Sequence, residues 1–106
     1  MKSDYQLLLT TCPNTEVAES LASLLLEKHL VSSVNILPNV RSIYEWKGKI
    51  TNNSEVLVFI KTRQEHYTAI EQTILQEHPY DVPELIALCI QTGLPSYLAW
   101  LDESTK

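Results

Sequence analysis

Cys12 and His78 are the side chains of this chain with the clearest capacity for chemistry. A thiolate and an imidazole both suit copper or zinc, so the pair is a candidate metal site. Two donors make half of a tetrahedral set; the rest has to come from Asp81, Glu84 or a neighbouring subunit. His78 also has a plainer use. It precedes Pro79, where a helix must stop, and can end that helix hydrogen-bonded to nearby backbone. Read as nucleophile and base, Cys12 and His78 lack an identifiable third group to orient them. Only Gly48 and Gly93 occur in the chain, so no Gly-rich phosphate loop exists. The expectation is a binding protein, not an enzyme.

A second set is aromatic and charged. Tyr44, Trp46 and Tyr80 fall near predicted sheet edges, where they line either a small-ligand cleft or an interface; Trp100 reads as interface packing. Lys61 and Glu84 stand beside apolar strands, to pair with each other or to hold the opposite charges of a ligand. Cys89 lies within an apolar run and reads as a buried, inert thiol.

Composition narrows the partners. The formal net charge of −5 argues against nucleic acid, which needs a basic face. Hydrophobic residues are 44% and charged residues 20%, a globular balance. The 106 residues fit a single domain spanning 1–106. A chain this short buries roughly 60–70% of its unfolded surface, so assembly would help it. Met1-Lys2-Ser3-Asp4 lacks the organisation of a signal peptide, and no run of about 18 apolar residues could span a bilayer. Reduced thiols in a cytoplasm are the expected setting, with no membrane insertion.

The elements that must position these groups follow from periodicity. Tyr5 to Thr11 reads as a strand; its continuous Leu7-Leu8-Leu9 predicts cover on both faces. Asn14 caps a helix whose apolar face is Val17, Leu21, Leu24 and Leu25, ending near His29. From Ser33 to Trp46 a long strand carries Val34, Ile36, Val40, Tyr44 and Trp46 on one parity, with Pro38 demanding a bulge or a sheet edge. Lys47-Gly48-Lys49 turns the chain, and the apolar run after Glu55 returns as a core strand. Thr62-Arg63-Gln64-Glu65 has capping-box spacing for a helix buried through Tyr67, Ile70 and Ile74. Leu85 to Ile90 is a fourth strand. Pro95 opens a last helix docked by Leu94, Tyr97, Leu98 and Leu101.

This β-α-β-β-α-β order predicts an α+β, ferredoxin-like antiparallel sheet in the order 4-1-3-2, with a long β2–β3 hairpin and a short C-terminal helix. The long second strand then lies on the edge, a template for pairing with other copies. The same plan gathers Cys12, Trp46, His78, Tyr80, Asp81 and Glu84 at one end of the sheet. It sends His29 and Lys61 toward the other.

Several segments resemble the CutA divalent-cation-tolerance family. They are Val34-Asn35-Ile36, Ser42-Ile43-Tyr44-Glu45-Trp46-Lys47-Gly48-Lys49-Ile50, Glu55-Val56-Leu57-Val58-Phe59-Ile60-Lys61-Thr62, His78-Pro79-Tyr80-Asp81-Val82-Pro83-Glu84 and Tyr97-Leu98-Ala99-Trp100-Leu101. The resemblance implies a homotrimer built through long hairpins, a link to tolerance of copper and other divalent cations, and intersubunit clefts that bind a metal ion or a small ligand. It also implies an architecture like that of the PII signalling proteins, and with it a sensor or adaptor role. Metal-binding members carry a strand-1 thiol where this chain has Thr10 and a second histidine where it has Glu77. Of that set only His78 is kept.

Overall fold

A computed structural model describes residues 4–106; the reading of Met1–Ser3 lies outside the described residues. Its elements are β1 (Tyr5–Cys12), α1 (Thr15–Glu27), β2 (Val31–Trp46), β3 (Lys49–Arg63), a 3-10 turn (Gln64–His66), α2 (Tyr67–Glu77), β4 (Leu85–Cys89) and α3 (Pro95–Ser104). The sheet runs β2-β3-β1-β4, with every pairing antiparallel. This is the predicted split β-α-β order.

Local chemistry explains the boundaries. Asn14 has extended backbone (φ −155°), and its Oδ1 accepts from the Val17 N–H at 2.8 Å, which starts α1. His29 (φ 58°) ends that helix: its N–H donates to the Leu26 carbonyl and the Leu30 N–H to the Leu25 carbonyl, a Schellman pair. The expected capping box at Thr62 does not form. Thr62 is buried in β3 and its hydroxyl donates to the Leu30 carbonyl at 2.6 Å. The Gln64 N–H is satisfied by the Asp4 carbonyl, so the strand supplies what a cap would have supplied and α2 begins at Tyr67.

Register separates the two faces. Leu8, Thr10, Cys12, Val56, Val58 and Ile60 alternate onto one side and are buried beneath α1 and α2 with Leu21, Leu25, Ile70 and Ile74. The intervening residues Leu7, Leu9, Leu57 and Phe59 stay half-buried, and Ile86 and Leu88 are exposed. The continuous leucines of β1 therefore predicted cover that this chain supplies to one face only. At the far end of the second face sits α3. Its Asp102 accepts from the Tyr5 hydroxyl at 2.9 Å and pairs with Arg63, and its Tyr97 meets Ser33. Leu101 and the partly buried Leu98 anchor the helix, while Leu94 is exposed rather than docked.

β2 breaks register between Leu37 and Val40, where Asn39 adopts φ 62° beside Pro38. A bulge or an edge position was expected at Pro38, and both occur; the effect of the bulge on parity was not expected. Val34 and Ile36 face the helices, but Val40, Ser42, Tyr44 and Trp46 pair with Glu55, Asn53, Thr51 and Lys49 on the side of Leu57 and Phe59. β1 accompanies β3 only as far as Val56, so beyond it the hairpin is a two-stranded arm. The Cα radius of gyration of 14.5 Å exceeds the roughly 13 Å of a compact chain this long, and the arm accounts for the difference. Cys89 is exposed, not buried, because β4 is an edge strand bonded to β1 alone.

The arm ends in a two-residue turn with positive φ at both Lys47 (51°) and Gly48 (79°), the primed geometry that matches strand twist. A Cβ on Gly48 would meet nothing within 4 Å, so its cost is conformational alone. Gly48→Ala should lower stability by about 1–2 kcal/mol in denaturant unfolding, and Gly48→Asn, which tolerates this region, by clearly less.

Candidate functional site

A cleft of about 740 Å³ opens where the hairpin arm leaves the sheet. One wall is the arm: Ser42, Tyr44 and Trp46 from β2 and Asn53 and Glu55 from β3, brought onto one side by the bulge. The other wall is the segment between α2 and β4, carrying Pro79, Tyr80, Asp81, Val82 and Glu84. Thr11, near the end of β1, contributes to the floor.

The walls are tied together. The Tyr80 hydroxyl donates to Glu55 Oε2 at 2.6 Å, bridging loop and arm. Desolvation first, and then this bond, raise the Tyr80 phenol pKa, so it stays a donor across the ordinary pH range. Asn53 Nδ2 donates to the Tyr44 hydroxyl at 2.7 Å and fixes that ring on the arm. The Thr10 hydroxyl donates to the Glu84 carbonyl at 2.6 Å, setting the start of β4.

Of the residues expected at a site, Tyr44, Trp46, Tyr80 and Glu84 line this cleft. Lys61 does not. It lies toward the other end of β3, and its ammonium donates to Asn35 rather than meeting Glu84. Trp100 is on α3, stacked with Tyr97 at 5.7 Å and half-exposed.

The two metal candidates sit underneath, and their donor atoms are committed elsewhere. His78 is buried; its Nε2 lies 2.7 Å from the Thr11 carbonyl, which can only accept, so Nε2 carries the proton. Its Nδ1 accepts from the Tyr80 N–H at 3.1 Å, so no ring lone pair is left for a metal. Cys12 is fully buried, and burial together with the Glu55 charge pushes its thiol from 9.0 up to about 11. Among the described residues no three His, Cys, Asp or Glu side chains converge as a metal-binding group. The pair His78 and Cys12 therefore does not fit copper or zinc, and the histidine holds the loop to β1 instead.

Sequence reasoning missed Thr11 and Glu55. Glu55 is only 6% exposed although it begins an apolar strand, and Thr11 is 7% exposed at the end of one. The signal available was the bulge: counting its extra residues puts Glu55 opposite Val40 and on the side of Tyr44.

Residues 6–104 match the family model described as CutA1 divalent ion tolerance protein. The chain is 46% identical over 96 residues to Protein CutA of Mus musculus, covering 91% of this chain and 54% of that protein. It is 39% identical over 100 residues to the divalent-cation tolerance protein CutA of Thermus thermophilus, covering 94% of this chain and 97% of that one. The chain thus spans about half the length of the mouse relative and nearly all of the Thermus one. The crystal structure of CutA1 from Oryza sativa superposes with a TM-score of 0.95 at 38% identity, covering 99% of this chain and 96% of that chain.

The buried thiol carries a pH signature. The unfolded chain releases the Cys12 proton near 9 and the folded chain near 11, so the folded state holds more protons between them. Stability should fall as pH rises through that window, and Cys12→Ala should remove that part of the fall in unfolding curves. Tyr80→Phe, which strips Glu55 of its donor, should cost about 1–3 kcal/mol in the same measurement.

Proposed function

The chain belongs to the CutA1 divalent ion tolerance family, and on that footing we propose that it acts in divalent-cation tolerance as a homotrimer. Each arm-and-loop cleft of the trimer binds a small ligand without chemical turnover. Support for assembly comes from the half-bare second face of the sheet. Leu7, Leu9 and Phe59 are only partly covered, Ile86 and Leu88 are exposed, and Ile43 and Ile50 on the arm are 65% and 83% exposed. A two-stranded ribbon is marginal by itself, so the arm needs neighbours to hold it. That the copies number three rests on the family resemblance of the hairpin segments.

The observation that carries the ligand reading is the cleft itself. Its volume of about 740 Å³ is that of a small-molecule site, and its aromatic walls exceed what a bare ion needs. This favours a sensor or adaptor in the manner of the PII proteins over storage of copper or another divalent cation. Tolerance would then arise through what the liganded trimer recognises, with metal contact incidental.

The protein is expected to sediment as a trimer at micromolar concentration; a stable monomer would overturn the assembly. In calorimetry, copper(II) should bind wild type and His78→Ala alike. A thermal-shift screen of metabolites should yield a stabilising ligand whose effect drops about tenfold in Trp46→Ala, the loss expected for an aromatic wall.

A further inference from the structure

We infer that the cleft is a receptor for a small organic cation, a compound bearing a primary ammonium or guanidinium group on a short carbon chain. This rests on the reading of the cleft as the ligand site and goes on to assign the ligand's charge and chemistry.

Three observations converge. The lining has one sign of charge: Glu55, Asp81 and Glu84 contribute carboxylates, and no Lys, Arg or His is among the described lining residues. An anion would find no cation in the lining itself; the Lys47 ammonium lies 6.0 Å from the Trp46 ring centroid, at the tip of the arm. The floor also holds unused hydrogen-bonding capacity. The Thr11 side chain, in a residue 7% exposed, has no hydrogen-bond partner among the described residues, although it shares by register the side that Glu55 occupies. Glu55, 6% exposed, is bonded through Oε2 alone, to Tyr80, and its Oε1 has no hydrogen-bond partner among the described residues. Neither atom is sealed from the cleft, so both are free to bond what enters it. An ammonium or guanidinium donates to both and meets the carboxylate charge.

The third observation separates an organic cation from a metal ion. The carboxylates do not converge into a metal-binding group. They are spread around about 740 Å³ whose walls include the Tyr44 and Trp46 rings. Aromatic faces attract an organic cation and cover its carbon chain, whereas a hard metal ion needs several oxygens at short range. Because Tyr80 donates to Glu55, the carboxylate is held in place with one oxygen still free for the incoming donor.

The test uses the intact protein, near neutral pH and at low salt. The probes are agmatine and 1,4-diaminobutane as cations, succinate as a dianion of similar length, and copper(II) chloride as a bare ion. Thermal shift and titration calorimetry should show the two amines binding and succinate not, with amine affinity falling as salt rises. Glu55→Gln should weaken amine binding by about tenfold or more, and the near-isosteric Thr11→Val by a few-fold, with the sedimentation coefficient unchanged in both. Thr11→Val keeps the question answerable if Glu55→Gln does not fold. Succinate binding as tightly as the amines, or amine binding untouched by both variants, overturns the cation assignment. Succinate binding that is lost in Trp46→Ala leaves the cleft standing while removing its proposed ligand. Copper(II) displacing the amines and lost in Glu55→Gln overturns the organic cation in favour of a metal. If no probe binds, or binding ignores Trp46→Ala, the cleft reading falls with it.

Discussion

A sheet with two apolar faces and a helix layer for only one of them governs this molecule. α1 and α2 seal Leu8, Thr10, Cys12, Val58 and Ile60 completely. The residues between them are just as apolar, yet the chain covers that side only with α3 at one end and the segment 79–84 at the other. Burial of apolar surface contributes about 25 cal/mol per Å², so a half-covered face of this kind is an unspent driving force. Everything distinctive about the chain lies on that side: the exposed β4 residues, the arm and the walls of the cleft.

The cleft is built on this same boundary between covered and uncovered. Its arm wall comes from a hairpin that has outrun its own sheet, and its loop wall from the segment that carries the chain from the helix layer back to β4. His78 holds those parts in register by spending both ring nitrogens on backbone, one on Thr11 and one on Tyr80. A histidine used in this way is a rivet. The Tyr80–Glu55 bond is a second one, closing loop against arm. Walls tied to each other in this way lower the ordering cost for a ligand entering between them.

Much of this was legible in the sequence. The strand and helix order, the sheet order, the Asn14 cap, the Pro38 bulge and the hairpin turn all follow from periodicity and from residues with special backbone needs. The gathering of Trp46, Tyr80, Asp81 and Glu84 at one end of the sheet also followed, because topology fixes which ends meet. The failures share a cause. Cys89 and Thr62 were judged from their own neighbours in sequence, but each is decided across the sheet. Cys89 is left bare by the edge position of β4, and Thr62 is claimed by the Leu30 carbonyl. His78 takes the plainer of its two expected uses, ending α2 with both ring nitrogens on backbone. Glu55 escaped notice for a related reason, since its side of the ribbon depends on a count of residues in the opposite strand.

That count has a wider consequence. The irregular step at Pro38 and Asn39 works as a phase shifter. Upstream of it the outer strand answers to the helix layer, and downstream to whatever approaches the arm. The two stretches of one continuous strand are thereby uncoupled, so substitutions at the cleft end need not disturb the packing beneath α1 and α2. Inserting or deleting one residue at this step would do the opposite. It would rotate Tyr44 and Trp46 to the back of the ribbon and erase the cleft while leaving every core residue where it was.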